Sequence, residues 1–379
     1  MFEFATAQRI VFGEGVVTQL PAVLRDAGGT RALLVTGAHP ERFRSAFKDI
    51  PHLLFCVPSE PTVDLARDGV ASFRAAGCDS VVAIGGGSVI DAGKAIAALA
   101  ANSGEPLDYL EVVGRGAPLA NAPFPFLAVP TTAGTGSEVT RNAVLASPEH
   151  GVKASLRSLK MLPAAALVDP ALTYHLPPAV TASTGLDALT QLIEPYVGAK
   201  RNPFVDLYCR KGISLAARAL PLAFRQPNNA EARRDMSFAA LLGGLALANA
   251  GLGIVHGFAA PIGGAFDAPH GAVCAALLPH AMAVNIRALQ QRDPTGVPLS
   301  RYQAAAILLT GDARATAEDG IRGIRQLCTE LEIPPLSRYG ITTGDVATLV
   351  EKAARASSTK GNPIALTPAE MTEILKAAL

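Results

Sequence analysis

Short apolar runs alternate with segments of helical periodicity over roughly the first 175 residues of the chain. The runs cover 10–12, 32–36, 53–57, 80–84, 126–129 and 166–168. Such alternation predicts an α/β fold with a parallel sheet, since parallel strands are joined by crossover helices. The runs at 32–36 and 80–84 do not alternate with polar residues, as expected for strands that are covered on both faces.

After Asp169-Pro170 the pattern changes to segments rich in alanine and leucine, which have helical periodicity and are separated by proline and glycine. These segments predict an all-helical region. They cover 180–197, 203–224, 230–250, 271–286, 315–331, 343–357 and 368–379. Pro177-Pro178 can begin a helix in its first turn, so we place a domain boundary near residue 175. The expected domains are 1–175, of α/β type, and 176–379, of helical type.

The stretch 238–255 is almost wholly apolar and long enough to raise the possibility of a membrane helix. It contains many small residues, the polar Asn249 and four glycines, and His256 follows directly. These features favour a helix buried inside a globular protein. The glycines are Gly243, Gly244, Gly251 and Gly253.

Composition narrows the class of partner. A chain of 379 residues with 49% hydrophobic content can bury a large core. Its 33 basic and 32 acidic side chains give a net charge of +1, which provides no field for nucleic acid or an anionic membrane. Five widely spaced cysteines without a CxxC pair suggest neither a disulfide framework nor a thiolate zinc site. Glu3 stands where a signal peptide needs positive charge. We therefore expect a cytoplasmic protein with a small-molecule partner.

Two loops have the composition of phosphate-binding sites. Gly85-Gly86-Gly87-Ser88 follows the predicted strand 80–84 and precedes a predicted helix, so its backbone N–H groups and the helix dipole can approach an anion. The alternative is a tight strand-to-helix turn without a ligand. The second loop, 130–138, offers the hydroxyl groups of Thr131, Thr132, Thr135 and Ser137. Both loops follow strands that are predicted to be parallel, which favours a nucleotide site, although the GxGxxG motif is missing.

A second candidate site combines a carboxylate with imidazoles. Asp187 and Gln191 are four residues apart on a predicted helix and share a face among apolar side chains. A carboxylate there must be exposed, paired or bound to a metal, so an aspartate near solvent at the helix start remains an alternative. His256 and His270 each precede a glycine in an apolar stretch. Together with Asp187 they form a ligand set suited to Zn²⁺ or Fe²⁺, although buried histidines are often hydrogen-bonded core residues.

At these residues the chain resembles the iron-containing (group III) alcohol dehydrogenase family over nearly its whole length. The matching segments occur in order, and they are specific only in combination. They are a strand-hairpin start with Phe12-Gly13, the GGGS segment with Asp91 and Lys94, the PTTAGTGSE segment, Lys153, the GLDAL helix, His256-Gly257 and Pro269-His270-Gly271.

The resemblance implies a fold similar to that of dehydroquinate synthase, with an NAD(P)-binding α/β domain, a helical domain and one divalent metal, Fe or Zn, in the cleft between them. It implies that Asp187, His256 and His270 are the metal ligands and act in catalysis. The resemblance also implies that Asp91 and Lys153 lie at the cofactor, together with Gly85, Gly86, Gly87, Ser88 and the four loop hydroxyls. It implies that Asn142 and Phe266 lie near the substrate. It further implies a homodimer formed through the N-terminal strand.

Three positions depart from the family pattern. Gln191 stands where many relatives carry a fourth histidine ligand, so we expect it to be a weak ligand or a hydrogen-bonding neighbour and the metal to be easily lost. Relatives similar to glycerol dehydrogenase lack that histidine and bind zinc. Ala260 replaces a histidine near the reacting carbon and cannot relay a proton. Gly37 replaces an aspartate that favours NAD, so NADP is also allowed.

The expected reaction is reversible hydride transfer between the nicotinamide ring and an alcohol or carbonyl carbon. The substrate would be a small alcohol, aldehyde or ketone. A maleylacetate reductase-like enzyme, which reduces an oxo acid, is one alternative, and Asp187 argues against it. A dehydroquinate synthase-like lyase is another, but region 250–280 has no Lys or Arg for a substrate phosphate. A non-catalytic binding protein is the third.

Overall fold

The computed structural model describes residues 1–379 and divides into two compact units. The α/β unit comprises Phe4–Thr132 and Gly136–Tyr174. Six parallel strands form its main sheet: β1 (Ile10–Phe12), β2 (Ala32–Thr36), β3 (His52–Cys56), β4 (Ser80–Gly85), β5 (Phe126–Pro130) and β8 (Ala165–Val168). Their order across the sheet is β1-β8-β5-β4-β2-β3. The predicted α/β fold and all six predicted strands are therefore confirmed.

Helices cover both faces of this sheet. They are α1 (Leu20–Asp26), α2 (Arg44–Phe47), α3 (Val63–Ala75), α4 (Gly87–Ala100) and the single turn α5 (Pro106–Tyr109). Alternate residues of β2 enter opposite cores, with Leu33 and Val35 on one side and Leu34 on the other. A strand between two apolar layers must be apolar throughout, which explains the uninterrupted runs. Gly93 lets α4 approach the sheet, because a Cβ there would lie 2.9 Å from that of Ala83.

An antiparallel hairpin of β6 (Asn142–Ser147) and β7 (Val152–Arg157) was not predicted. Only alternate residues of β6 are buried, so it lacks the continuous apolar run that identified the strands of the main sheet. The turn between the strands ends at Gly151, whose φ of +60° favours glycine. The expected hairpin at the N-terminus is wrong, because β1 pairs only with β8, in parallel, at the edge of the sheet.

The second unit comprises Met1–Glu3, Ala133–Thr135 and His175–Leu379, and all of its regular structure is helical. Its helices are α6 (Pro178–Val197), α7 (Pro203–Arg225), α8 (Ala230–Ala250), α9 (Ile254–Ala265), α10 (His270–Arg292), α11 (Val297–Thr310), α12 (Ala317–Glu330), α13 (Val346–Arg355) and α14 (Pro368–Ala377). The seven predicted helices are present, whereas α9 and α11 were missed. Glycine and proline inside α9 have low helix propensity.

The apolar stretch 238–255 is not one helix, contrary to the sequence-based expectation. Helix α8 ends at Ala250, Gly251 adopts φ +72°, and α9 begins at Ile254. The two helices meet at an angle of 97°. One helix, α10, is long and apolar enough to cross a membrane, but 83% of its most apolar stretch is buried inside the protein. Core helices of globular proteins have the same property.

Buried charges join α4 to the hairpin and to the loop that precedes it. Lys94 is 1% exposed and donates hydrogen bonds to Ser137 O, Thr140 Oγ1 and Asn142 O at 2.8, 2.9 and 2.8 Å. The Asp91 carboxylate accepts a hydrogen bond from Val144 N at 3.0 Å. Burial lowers the pKa of Lys94 to about 8 and raises the pKa of Glu138 to about 7.

Glu138 should give the α/β unit a pH-dependent stability. Its folded-state pKa lies above its ordinary 4.5, so the folded chain binds the proton more tightly and the free energy of unfolding falls as pH rises from 4.5 to about 7. Glu138→Gln should remove this fall, which is on the order of 1–3 kcal/mol. Urea unfolding at pH 5 and pH 7.5 measures it. Glu149→Gln, at an exposed site of the same unit, is the control. An equal pH dependence in wild type and Glu138→Gln would contradict the assignment.

Candidate functional site

Helix α6 presents three buried polar side chains on successive turns of one face. Asp187, Gln191 and Glu194 are spaced by four and three residues, which brings their side chains to the same side of a helix. Their exposures are 1%, 2% and 6%. The alternative of an aspartate near solvent is therefore wrong for Asp187.

The two predicted imidazoles lie beside Asp187. His256 is in the first turn of α9, and His270 is the first residue of α10. Asp187 Oδ1 is 3.3 Å from His256 Nε2 and 3.8 Å from His270 Nε2. The cluster predicted from residues distant in sequence is thus assembled within the helical unit.

Cys274 is a fourth member of this cluster. Its Sγ lies 3.8 Å from His256 Nε2 and 3.7 Å from His270 Nε2. One potential ligand atom from each of Asp187, His256, His270 and Cys274 lies within 4.8 Å of all the others. The spacing between the cysteines gave no indication of a thiolate site. The pattern that could have revealed Cys274 is its position four residues after His270, on the same helix face.

Glu194 is a further member of the candidate site that sequence reasoning missed. Its Oε2 is 2.7 Å from His256 Nδ1, and its Oε1 accepts a hydrogen bond from Val255 N at 2.7 Å. A carboxylate at Nδ1 holds a proton on that nitrogen, so Nε2, which faces Asp187 and Cys274, is the nitrogen whose proton a metal can displace. The spacing of seven residues from Asp187, two helical turns, could have revealed Glu194.

Gln191 contacts Asp187 through its amide nitrogen. Nε2 donates a hydrogen bond to Asp187 Oδ2 at 3.0 Å. The amide oxygen has no hydrogen-bond donor and lies beside Gly243 of α8, where a Cβ would be 3.5 Å away. The hydrogen bond fixes the rotation of the Asp187 carboxylate and leaves Oδ1 turned toward the imidazoles.

The cluster concentrates negative charge around the imidazoles. Burial opposes ionisation of Asp187, but His270 and His256 hold its pKa below the ordinary value. Burial also disfavours a charged His256, yet Cys274 and Glu194 raise its pKa well above the usual range. Cys274 raises the pKa of His270 to about 9. Such a site attracts a cation, and protons compete with a metal for it at low pH.

The donor set fits a divalent metal. Asp187 Oδ1 is a buried acceptor without a hydrogen-bond donor of good geometry. An unsatisfied buried acceptor is costly unless something supplies positive charge. Carboxylate, imidazole and thiolate are all ligands that transition metals accept.

The predicted cofactor loops converge at the carboxyl ends of neighbouring strands β2, β4 and β5. Gly86 is the N-cap of α4 without a side-chain hydrogen bond, so its first-turn N–H groups are open to an anion. A Cβ on Gly86 would lie 3.4 Å from the Thr132 side chain. A Cβ on Gly37 would meet only Val89, at 4.0 Å. Packing explains the glycine at position 85, since a Cβ there would be 2.6 Å from the side chain of Val89.

Other predicted cofactor residues have protein partners in the α/β unit. Asp91 and Ser137 are buried, and Ser137 O accepts one of the Lys94 hydrogen bonds. Lys153 lies on β7 with Nζ 3.5 Å from a Glu60 carboxylate oxygen. Thr135 belongs to the segment that groups with the helical unit.

The two predicted substrate residues lie in different units. Asn142 is the first residue of β6 in the α/β unit. Phe266 follows the end of α9 in the helical unit and is half-buried. Ala260 is exposed on α9, one turn after His256.

Comparison with known proteins places the chain in a family. Residues 7–170 match the model for iron-containing alcohol dehydrogenase, and residues 181–379 match the C-terminal model of the same family. The 1,3-propanediol dehydrogenase of Klebsiella pneumoniae is 35% identical over 96% of this chain and 95% of its own length. Alcohol dehydrogenase 4 of Saccharomyces cerevisiae strain S288c is 33% identical, covering 97% and 96%.

Solved structures agree with these relatives. The crystal structure of a 1,3-propanediol oxidoreductase has a TM-score of 0.92 and 33% identity, with all of both chains covered. Sulfoacetaldehyde reductase from Bifidobacterium kashiwanohense, solved with NAD⁺, has a TM-score of 0.88 and 28% identity over 100% of this chain and 98% of its own. These matches do not favour the oxo-acid reductase or the lyase. The chain belongs to the iron-containing alcohol dehydrogenase family and is an oxidoreductase that acts on CH–OH groups.

Proposed function

We propose that Asp187, His256 and His270 hold the divalent metal of this alcohol dehydrogenase, and that the GGGS and PTTAGTGSE loops bind its dinucleotide. The buried Asp187 Oδ1, which lacks a donor and lies 3.3 Å from an imidazole nitrogen, carries the proposal. A carboxylate and two neutral imidazoles are sufficient to bind zinc or iron. Both metals remain candidates for this site.

A metal bound there supplies Lewis acidity toward the oxygen of an alcohol or carbonyl group. The chain's own residues prepare the site for it. Glu194 keeps the Nδ1 proton on His256, so Nε2 is available as a ligand atom. Gln191 restrains Asp187 Oδ2, which directs Oδ1 to the same place. We assign Gln191 and Glu194 as positioning residues rather than ligands.

Backbone N–H groups supply most of the proposed contacts to the nucleotide. The uncapped first turn of α4 offers N–H donors and a positive dipole end to the pyrophosphate. Gly86 leaves space beside Thr132, whose hydroxyl can bind a phosphate or ribose oxygen. Lys94 and Asp91 act beneath this loop by holding it to the hairpin.

Gly37 should decide the choice between the two nicotinamide cofactors. Its Cβ direction is open, so Gly37→Asp adds a carboxylate near the carboxyl end of β2 without a clash. Repulsion from a 2′-phosphate should lower the NADPH-to-NADH ratio of kcat/KM by about 10- to 100-fold.

Gly37→Asn is the matched control, because it has the same shape without the charge. It should change the cofactor ratio much less than Gly37→Asp does. Equal ratios in wild type and Gly37→Asp would show that Gly37 does not line the adenosine ribose.

The substrate class is a small alcohol and its aldehyde or ketone. Relatives named 1,3-propanediol dehydrogenase, and the NAD-dependent methanol dehydrogenase of Bacillus methanolicus, support short substrates. We propose that Asn142 and Phe266 contact the substrate. Because Ala260 has no ionisable group, the proton released on alcohol oxidation must leave by another route, such as ordered water or ribose hydroxyls.

Two further expectations accompany this function. Strand β1 is an edge strand with one side unpaired, which supports a dimer formed through the N-terminal strand. A cytoplasmic location fits five cysteines that are all free.

Metal removal and return test the proposed function. The purified protein is chelated, and oxidation of methanol, ethanol and 1,3-propanediol is measured with NAD⁺ and NADP⁺ before and after addition of Zn²⁺ or Fe²⁺ under anaerobic conditions. Turnover should disappear on chelation and return with about one metal per chain. Full activity of the chelated protein, with no stoichiometric metal binding, would overturn the proposal.

A further inference from the structure

We propose that Cys274 is a direct ligand of the metal and completes an Asp-His-His-Cys set with Asp187, His256 and His270. The inference rests on the proposed function, because it concerns the same metal, and adds a thiolate that the family pattern does not include. It also accounts for the loss of a histidine at position 191. The fourth donor would come from α10 instead of α6.

The distances match the edges of a coordination tetrahedron. At the bond lengths usual for zinc, tetrahedral ligands lie about 3.6 Å apart for nitrogen and sulfur and about 3.3 Å apart for nitrogen and oxygen. Cys274 Sγ lies 3.8 and 3.7 Å from Nε2 of His256 and His270. Asp187 Oδ1 lies 3.3 and 3.8 Å from the same two atoms. The four atoms, all within 4.8 Å of one another, therefore surround a volume of the size that one ion needs. The substrate oxygen would then bind as a fifth ligand, an expansion that zinc allows.

Hydrogen bonding within the protein accounts poorly for the same contacts. Ligation by His256 requires that Nε2 gives up its proton; Glu194 then keeps the remaining proton on Nδ1, and the ring turns a lone pair toward Asp187 Oδ1. Cys274 has one S–H and lies at equal distance from two ring nitrogens, so it can satisfy only one of them. Acceptors that face one another in a buried site indicate a cation between them.

The position of Cys274 suits a ligand. His270 and Cys274 are four residues apart in α10, so a rigid helix holds both donors on one face. Cys274 is fully buried. The other four cysteines lie outside the cluster. Gln191 does not compete for this place, since its oxygen is turned toward α8.

A thiolate also changes which metal is preferred. Soft sulfur ligands favour zinc, whereas sites of carboxylate and imidazole alone accept iron readily. We therefore expect this chain to select Zn²⁺ over Fe²⁺ more strongly than its Cys274→Ala variant does. An unchanged ratio of the two dissociation constants in the variant would count against a metal–sulfur bond.

Cobalt spectroscopy of the full-length enzyme tests the proposal. The chelated protein is loaded with one equivalent of Co²⁺, and the near-ultraviolet absorption is recorded. A thiolate-to-cobalt charge-transfer band is expected in wild type and should be lost in Cys274→Ala. Cys209→Ala, which removes a buried thiol from α7 in the same unit, should keep the band. The Co²⁺ dissociation constant should rise in Cys274→Ala by more than the roughly 10- to 100-fold that outer-shell substitutions cost.

The possible outcomes separate the two proposals. Stoichiometric Co²⁺ binding by wild type without the band would overturn ligation by Cys274 and leave the Asp187, His256 and His270 site intact. Failure of wild type to bind Co²⁺ would overturn both. Because wild type alone gives these results, poor folding of a variant does not obscure them. Gln191→His combined with Cys274→Ala should regain tight binding without regaining the band, since residue 191 shares the α6 face with Asp187.

Discussion

Asp187→Asn should reduce turnover by about a thousandfold or more and remove the metal, while NAD(H) still binds with unchanged affinity. Loss of metal assistance costs several kcal/mol of transition-state stabilisation, and each 1.4 kcal/mol or so is a factor of ten. The geometry makes this substitution severe. Gln191 Nε2 requires an acceptor at position Oδ2, so an asparagine must turn its amide NH₂ toward the imidazoles, where it cannot coordinate.

Metal content by elemental analysis, steady-state kinetics and NADH fluorescence titration measure these effects. Asp235→Asn, at a half-buried aspartate of α8, makes the same chemical change in the same unit and should leave all three unchanged. The predicted nucleotide loops carry no group of the cluster, so cofactor affinity should be preserved. A variant that keeps its metal and its rate would show that the mechanism does not use this carboxylate.

Lys94→Met should destabilise the α/β unit by about 3–5 kcal/mol, the usual cost of leaving a buried charge without its partner. Methionine fills a similar volume, so the loss of stability would come mainly from the missing hydrogen bonds. Ser137 O, Thr140 Oγ1 and Asn142 O lose their common donor, and Asp91, with an oxygen 3.9 Å from the ammonium nitrogen, loses its neighbouring positive charge. The loop after β5 and the hairpin would lose their anchor on α4.

Chemical denaturation followed by circular dichroism measures this loss. Lys48→Met, at an exposed position of the same unit, should change the free energy of unfolding by less than about 0.5 kcal/mol. Nucleotide affinity should also fall in Lys94→Met, since the loop carries Thr132 and Ser137. Equal stability of the two variants would mean that the three acceptors find other donors.

The strands could be predicted because local pattern and tertiary environment agree. The run 80–84 is apolar throughout, and β4 is buried on both faces. Helix α9 was missed because Gly257, Pro261 and the glycines that follow oppose helix formation locally, while packing stabilises it. The strands β6 and β7 were missed because only alternate side chains are buried, so neither strand has the continuous apolar run of the main sheet; in β7, Lys153, Ser155 and Arg157 face away from the core.

The candidate site was only partly accessible from sequence. Asp187, His256 and His270 could be assigned together through the family resemblance, since positions so far apart carry no local pattern that unites them. Glu194 and Cys274 required the structure, because a glutamate in a helix and a single cysteine are usually uninformative. The direction of the Gln191 amide also depends on a contact with α8 that no spacing rule gives.

The arrangement of Asp187, Gln191 and Glu194 on α6 has a consequence for how this protein can change during evolution. Each residue added to a helix rotates everything after it by about 100°. One insertion between positions 187 and 191 would leave Asp187 in place but turn both Gln191 and Glu194 away, so the imidazole would lose its orientation together with the restraint on the carboxylate. This segment should therefore tolerate many substitutions but no insertion or deletion, whereas the exposed turn at 148–151 can vary in length.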